Sequence, residues 1–125
     1  MNEKYKSETI KKWGNTETYK DFTTKTKDYS TDKLNYIGDK LNSIFKSFSV
    51  YLVEQKEPNS EDVQNLVNIL KNYISDNLYY CNNEMLLNLG TLYVTDERFK
   101  MNIDKYCIGN AEYINDSIKF FCQNN

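Results

Sequence analysis

The chain contains no histidine, and this absence excludes much of enzyme chemistry. Histidine is the commonest general base, the commonest metal ligand and the usual partner of a serine or cysteine nucleophile. A hydrolytic triad of the usual kind is therefore excluded, and a zinc site is not expected. The chain also has no phosphate loop and no dinucleotide-binding motif. From these absences we predict that the protein is not an enzyme and that it carries no metal and no cofactor.

Cysteine is scarce, and the chain has no long hydrophobic run. Its three cysteines, Cys81, Cys107 and Cys122, are far apart and form no CxxC motif. Because no apolar signal segment opens the chain either, the pattern indicates the cytoplasm. No run approaches the roughly 20 apolar residues that a membrane helix needs, so no membrane partner is expected. A net charge of −2, with acidic and basic residues interspersed, argues against direct binding to nucleic acid.

Proline occurs once and glycine four times, so few residues interrupt helices. Apolar residues recur three or four positions apart in five or six segments, and no segment alternates convincingly as a strand. A chain of 125 residues is one domain. We therefore predict an all-α fold, a compact bundle of five to six helices. The helices of the core are expected over Thr31 to about Glu54, Asn59 or Ser60 to about Tyr79, Asn83 to Tyr93, Glu97 to about Lys105, and Ala111 onward.

Capping residues and apolar spacing predict where these helices begin and which faces are buried. Ser30 or Thr31 is expected to cap the first, and Asp96 the fourth, because a short polar side chain can accept from the unpaired amides of a first turn. The helix that begins at Asn83 is apolar on most sides and is predicted to be buried nearly all round. Gly90 within it predicts close approach of another backbone, because glycine there costs about 1 kcal/mol relative to alanine. The inward residues of the longest helix are expected to be Leu34, Ile37, Leu41, Ile44, Phe45, Phe48 and Leu52.

The first 28 residues differ from the rest of the chain. Their apolar residues are scattered among Thr, Lys and Glu, and a break at Gly14-Asn15-Thr16 divides the segment into two short pieces. Helices this short are marginal in water without tertiary support. Two interpretations remain open. Residues 1–28 are a loosely attached lid on a helical core formed by residues 29–125, or they are a pair of ordinary packed helices.

The run Tyr79-Tyr80-Cys81-Asn82-Asn83-Glu84-Met85 joins two predicted helices and is the first candidate for ligand contacts. Cys81 lies just before a helix start that one of the two asparagines caps. Amides at a helix N-terminus favour negative charge, so one interpretation is a thiol with a lowered pKa. The alternative is an inert, buried cysteine, as most free cysteines are. Tyr79 and Tyr80 either present their rings together, if the helix has ended, or point about 100° apart, one inward and one to solvent.

Four motifs resemble those of one known family. They are Trp13-Gly14-x-Thr16-x-x-Tyr19, then Thr26-x-x-Tyr29-Ser30, then Tyr79-x-Cys81-x-x-Glu84-Met85, then Leu89-Gly90-x-x-Tyr93-Val94-x-Asp96-Glu97-Arg98-Phe99-x-x-Asn102-Ile103-Asp104. In this order they are similar to the TipAS antibiotic-recognition domain, the C-terminal half of TipA-class transcription regulators of the MerR family. The resemblance extends from about Lys12 to the C-terminus, and its last block is the most specific.

The resemblance implies a globin-like helical fold with a deep cleft and a mobile N-terminal lid that closes over a bound antibiotic. The ligands it implies are thiopeptides or other flat aromatic antibiotics. It also implies covalent attachment at Cys81, because a cysteine at the matching position in the family adds to a dehydroalanine of the ligand. With the resemblance, the candidate ligand-binding residues are Trp13, Tyr19, Tyr79, Tyr80, Cys81, Met85, Tyr93 and Phe99.

Two departures from the family pattern bear on these implications. Family members often carry histidines before and after the cysteine, whereas the matching places here hold Leu70, Tyr73 and Leu86. Nothing obvious remains to take the thiol proton, so we expect binding there more than covalent capture. The second departure is that about twelve residues precede Trp13, too few for a winged helix and a coiled-coil linker. Either the chain is a free-standing drug-binding protein or it is part of a longer regulator.

Three hypotheses about function remain open. The favoured one is a stand-alone binder that sequesters or senses a small-molecule or peptide antibiotic. The second is the effector half of a ligand-activated transcription regulator, and the third is a protein-interaction module without a small ligand. The eleven tyrosines suit an aromatic-lined cavity, although a genome biased towards A and T codons gives the same composition. The sequence leaves open whether two copies form a homodimer.

Overall fold

The computed structural model describes residues 16–124, and the side chains from Tyr19 onward. Within this range every regular element is an α-helix, which confirms the predicted all-α class. None of these helices is long and apolar enough to cross a membrane. The six helices are α1 (Thr16–Thr26), α2 (Thr31–Val53), α3 (Glu61–Asn77), α4 (Asn83–Thr95), α5 (Glu97–Asp104) and α6 (Asn110–Asn124).

The helix starts follow the capping residues closely. The Ser30 side chain accepts from the Lys33 amide at 3.0 Å, so α2 begins where its cap predicts. Asp96 caps α5 by accepting from the amides of the second and third residues of that helix at 2.9 and 3.3 Å. The end of α2 is less regular: the helix stops at Val53, and Gln55 adopts a left-handed φ of 63° before the proline.

The core lies where α6 crosses the other helices. α4 and α6 form the most extensive helix pair, and α2 and α3 pack against α6 and each other. The apolar residues that recur at helical spacing in α6, namely Ala111, Ile114, Ile118 and Phe121, are all buried. At roughly 25 cal/mol per Å² of apolar surface removed from water, this burial is the main stabilising contribution. The largest side chains shielded completely from solvent are Phe48, Leu70, Leu86, Ile103, Ile114 and Ile118.

Two predictions about inward faces are wrong in detail. Leu34 in α2 is 44 % exposed, because it lies in the first turn, before the crossing with α6. α4 is not buried nearly all round, since Leu87 is 38 % exposed. Only one side of α4 meets α6 and α5, so an apolar composition on most sides did not produce burial on most sides.

Gly90 confirms a close approach, but its neighbour is a side chain and not a backbone. A Cβ built on Gly90 would lie 2.5 Å from Asn115 Oδ1 and 3.3 Å from Ile118 Cδ1, both on α6. Glycine therefore allows the close contact between α4 and α6. Asn115 is itself buried, which limits how far its amide group can move away.

We expect Gly90→Ala to lower the free energy of unfolding by about 1–2 kcal/mol, since overpacking outweighs the ~1 kcal/mol that alanine gains in helix propensity. The effect should reverse in an Asn115→Ala background, where the clashing atoms are gone and only propensity remains. Urea denaturation of the four proteins measures both effects. Equal losses in the two backgrounds would show that Asn115 is not what excludes a side chain at position 90.

The N-terminal segment is described only in its second half. α1 begins at Thr16, the last residue of the predicted break. It forms none of the extensive helix pairs. Phe22 packs against the core. After α1, the Tyr29 hydroxyl donates to the Asn77 carbonyl at 2.8 Å. The first half of the predicted lid, with Trp13, lies outside the described residues.

Candidate functional site

The turn between α3 and α4 is shaped by hydrogen bonds from its own backbone. α3 ends at Asn77, two residues earlier than predicted, and the Tyr79 amide still donates to Ile74 at 3.1 Å. The Cys81 amide donates to Ser75 Oγ at 3.0 Å, which turns the chain back towards the core. Asn82 then caps α4 by accepting from the third amide of the helix, that of Met85, at 2.9 Å.

The two adjacent tyrosines of this turn face opposite environments. Tyr79 is 3 % exposed and belongs to the core, whereas Tyr80 is 65 % exposed. This arrangement confirms the alternative in which one ring packs inward and the other faces solvent. Burial raises the pKa of Tyr79 well above its ordinary value, and Cys81 and Tyr93 raise it further. Of the pair, Tyr80 is the ring that a ligand can reach directly.

Cys81 is a buried thiol, not an activated one. Its side chain is completely shielded from solvent. Burial raises the pKa of this thiol to about 12; Lys71 acts in the opposite direction but does not compensate, and Cys122 adds to the increase. Sγ lies 3.8 Å from the Asn82 carbonyl, to which the thiol donates. The interpretation of a lowered pKa is therefore wrong, and the alternative of an inert, buried cysteine describes this structure.

Lys71 is a charged side chain close to this turn, and the sequence analysis did not identify it. Its Nζ donates to Asn83 Oδ1 at 2.9 Å and lies 5.7 Å from the centroid of the Phe121 ring. It also lowers the pKa of Cys122 and of Cys81. One lysine among many at a helix surface carries no signal in the sequence; its role depends on the way α3, α4 and α6 meet.

Tyr93 and Phe99 lie together, as candidate site residues should, but beneath the surface. The rings of Tyr93 and Phe99 are 5.7 Å apart, and the Phe45 ring approaches Tyr93 edge-on at 5.3 Å. Tyr93 is 3 % exposed, while Phe99 is partly buried. Burial raises the pKa of Tyr93, with a smaller contribution from Cys81. Tyr79, Cys81 and Tyr93 thus belong to one buried core cluster, and Phe99 packs against it.

The remaining candidates lie nearer the surface. Asp21 on α1 accepts a hydrogen bond from the Tyr80 amide through Oδ2, so α1 contacts the turn directly. Tyr19, one half-turn earlier on α1, is partly buried, and Met85 packs partly buried against the core. Trp13 is not among the described residues. Of the candidate residues that the structure describes, Tyr80 is exposed, and Tyr19, Met85 and Phe99 are partly buried.

The positions where histidines were expected contain no proton acceptor for the thiol. Leu70 and Leu86 are fully buried apolar residues. Tyr73 is partly buried, and burial raises the pKa of its hydroxyl. Within the part of the chain that the structure describes, no group of three or more His, Cys, Asp or Glu residues is arranged to bind a metal ion.

Comparison with known proteins gives consistent matches. The model of the TipAS antibiotic-recognition domain matches residues 5–121. The chain is 35 % identical over 117 residues to the HTH-type transcriptional activator TipA of Streptomyces coelicolor, which covers 93 % of this chain and 46 % of that protein. It is 31 % identical over 65 residues to the HTH-type transcriptional activator mta of Bacillus subtilis, covering 52 % and 25 %. The chain therefore spans about half the length of the TipA protein, and its match to mta covers a quarter of that protein.

A solved structure matches the fold as well. TipAS of Streptomyces lividans in complex with nosiheptide, described as part of a thiopeptide antibiotic multidrug resistance system, superimposes with a TM-score of 0.84 and 30 % identity. The match covers 97 % of this chain and 85 % of that one. It confirms the predicted globin-like helical bundle. Because the family model covers nearly the whole chain and a structure of that family has the same fold, this chain belongs to the TipAS antibiotic-recognition domain family.

Proposed function

We propose that this chain is an antibiotic-binding module that sequesters or senses a thiopeptide-like or other flat aromatic ligand, with the N-terminal segment closing over it. The observation that carries the proposal is the position of α1, whose Asp21 binds the amide of Tyr80 in the candidate turn. An N-terminal segment placed directly on the turn can close over a ligand bound there. The complex of a TipAS protein with nosiheptide supports the same ligand class.

The energetics of α1 suit opening and closing. α1 has 11 residues, and helices of that length are marginal in water. It takes no part in the extensive helix packing of the core. The hydrogen bond from the Tyr80 amide to the Asp21 carboxylate is exposed, and even a bond to a charged group contributes only about 1.5–3 kcal/mol. A ligand that touches both α1 and the turn can therefore exchange these contacts for its own at little cost.

The proposed recognition is non-covalent. Cys81 is shielded from solvent, and its pKa of about 12 leaves almost no thiolate at neutral pH. A ligand instead meets the exposed ring of Tyr80 and the partly buried Met85 and Tyr19. Each buried aromatic contact adds about 0.5–1.5 kcal/mol beyond the area that it covers.

Nosiheptide should raise the thermal stability of the chain, and a concentration 100 times Kd should add about 2.7 kcal/mol to the free energy of unfolding. Amide exchange in residues 16–28 should slow in the complex, while the intact mass of the protein stays unchanged. Differential scanning calorimetry, hydrogen exchange and mass spectrometry measure the three effects. Tyr80→Ala should weaken binding by about tenfold or less, and Asp116→Asn, an exposed carboxylate on α6, is the control.

Two results would count against the proposal. An unchanged melting temperature with nosiheptide and with a panel of flat aromatic antibiotics would favour the protein-interaction module. A mass increase of one nosiheptide that Cys81→Ala abolishes would support binding but overturn the non-covalent part.

A second candidate, the effector part of a ligand-activated transcription regulator, is favoured by the TipA and mta relatives, which are HTH-type transcriptional activators. In that case the same ligand should activate transcription only when a DNA-binding domain is joined to this one. A reporter assay with such a fusion, with and without nosiheptide, tests it. Under either candidate the proposal places the chain in the cytoplasm, with no catalytic step and no direct nucleic-acid contact by this domain.

A further inference from the structure

A stripe of alternating tyrosines and lysines runs along the start of α2, outside the candidate site described above. Lys33, Tyr36 and Lys40 are spaced by three and four residues, so they share one side of α2, and Tyr29 lies just before the N-cap Ser30. Lys33 Nζ lies 5.6 Å from the Tyr29 ring centroid and 5.9 Å from that of Tyr36; Lys40 Nζ lies 5.9 Å from Tyr36. Tyr36 is 54 % exposed, so an aromatic ring between two ammonium groups faces solvent.

Tyr73 on α3 faces this stripe and has an unusual hydroxyl. The Asn77 side chain donates to the Tyr73 carbonyl at 2.9 Å, and the Asn77 carbonyl accepts from the Tyr29 hydroxyl at 2.8 Å, so Tyr73 lies one helical turn from the residue that holds Tyr29. Burial raises the pKa of Tyr73, and Tyr36 and Tyr29 raise it further. The Tyr73 hydroxyl is buried and has no hydrogen-bond partner among the residues that the structure describes. By contrast, the Tyr29 hydroxyl donates to Asn77 at 2.8 Å. A buried polar group without a partner is costly and calls for an explanation, such as a partner that arrives from outside the chain.

The charges of the stripe are available to a ligand. Within the described part of the chain, neither Lys33 nor Lys40 forms an ion pair with a carboxylate. Asp32 and Asp39 are on the same helix. At 100° per residue they lie on the other side of Tyr36 from Lys33 and Lys40, away from the side that carries Ile37 and the core. On the side of Tyr36 that faces Ile37, an anion therefore lies nearer to the two ammonium groups than to either carboxylate.

We propose that Tyr29, Lys33, Tyr36, Lys40 and Tyr73, together called the tyrosine–lysine face, bind the acidic aromatic group of a planar ligand. The ring of that group stacks on Tyr36, its carboxylate lies between the ammonium groups of Lys33 and Lys40, and the Tyr73 hydroxyl donates to it. The inference rests on the proposed function for the class of flat aromatic ligands. Tyr29 lies three residues after the end of α1, and its hydroxyl donates to the carbonyl of Asn77 at the end of α3. This face therefore adjoins the segment that contacts the candidate turn.

The test uses 2-naphthoate as the probe and its neutral amide, 2-naphthamide, as the matched ligand, titrated into the full chain by NMR. Amide shifts should move at residues 29–40 and 73–77, and 2-naphthoate should bind at least about fivefold more tightly, given modest ion-pair energies at exposed sites. Lys33→Gln combined with Lys40→Gln should abolish that preference. Lys46→Gln, on another side of α2, is the control and should preserve it.

Tyr73→Phe separates ligand recognition from structure. It should weaken 2-naphthoate about threefold or more by loss of a hydrogen bond to a charged group, and should leave the melting temperature unchanged or raised. Lower stability with unchanged affinity would assign Tyr73 a structural role only and overturn its part in the proposal. Equal affinities for the two probes, or shift changes confined to other residues, would overturn the tyrosine–lysine face as a whole.

The nosiheptide experiment is independent of this one. If 2-naphthoate binds the face and nosiheptide does not bind the chain, the proposed function fails while the face remains. If nosiheptide binds and 2-naphthoate does not, the face is overturned while the proposed function stands.

Discussion

Cys81 in the folded, ligand-free protein should react with iodoacetamide at pH 7.5 on the order of 100-fold more slowly than a thiol of ordinary pKa. An increase in pKa from 9.0 to about 12 lowers the thiolate fraction about 1000-fold. A thiolate of higher pKa is intrinsically more nucleophilic, which recovers about 30-fold. The complete burial of the side chain then hinders approach of the reagent and slows the reaction again.

Peptide mapping by mass spectrometry after timed labelling measures this rate. Cys107 is partly exposed and is an internal comparison within the same molecule. In concentrated guanidinium chloride, where no tertiary structure shields either sulfur, the two rates should converge. Lys71→Gln should slow Cys81 further, because Lys71 lowers the pKa of that thiol. Labelling of folded Cys81 as fast as Cys107 would show an exposed, activated thiol and would revive covalent capture.

Tyr93→Ala should lower the free energy of unfolding by about 3–5 kcal/mol, the usual cost of deleting a buried aromatic ring. Tyr93 is 3 % exposed, and its ring lies between Phe45 and Phe99, so truncation leaves a cavity lined by both. Because domains of this size are stable by about 5–15 kcal/mol, the variant loses a large part of its stability.

Tyr80→Ala is the matched control, since the same side chain is removed where it is 65 % exposed. That change should cost no more than about 0.5 kcal/mol. Urea denaturation of both variants gives the comparison, with Tyr93→Phe as a conservative check on the ring. A loss for Tyr93→Ala as small as that for Tyr80→Ala would mean that Tyr93 is not part of the core, and would favour direct ligand contact.

These two outcomes divide the candidate residues by role. Tyr79, Cys81 and Tyr93 are chemically distinctive in sequence, but the structure buries all three. Tyr80, Met85 and Tyr19 are the ones that reach the surface or lie partly exposed. A ligand bound at the turn would therefore contact the second group, while the first group keeps the turn in shape. The distinction matters for mutagenesis, because loss of binding in a Tyr93 variant can result from loss of folding.

Much of the fold could be predicted from residue patterns because local physics governs it. Helical spacing of apolar residues and the caps Ser30 and Asp96 predicted the helix order with small errors at the ends. Predicted burial failed at Leu34 and Leu87, which are apolar but 44 % and 38 % exposed. Periodicity describes one helix at a time, and burial depends on which other helix covers it.

By itself, the sequence determined the all-α class, the caps of the main helices and membership of the TipAS family, because these depend on local spacing and on motifs that are contiguous in the chain. Only the tertiary structure decided the state of Cys81, the roles of Lys71 and Gly90, and the burial of the Tyr73 hydroxyl without a partner among the described residues. The physical reason is that a pKa, a steric limit or an unpaired hydroxyl depends on burial and on neighbours from other helices. A cysteine before a helix start can be activated or inert, and in this protein the packing of the turn against the core makes it inert.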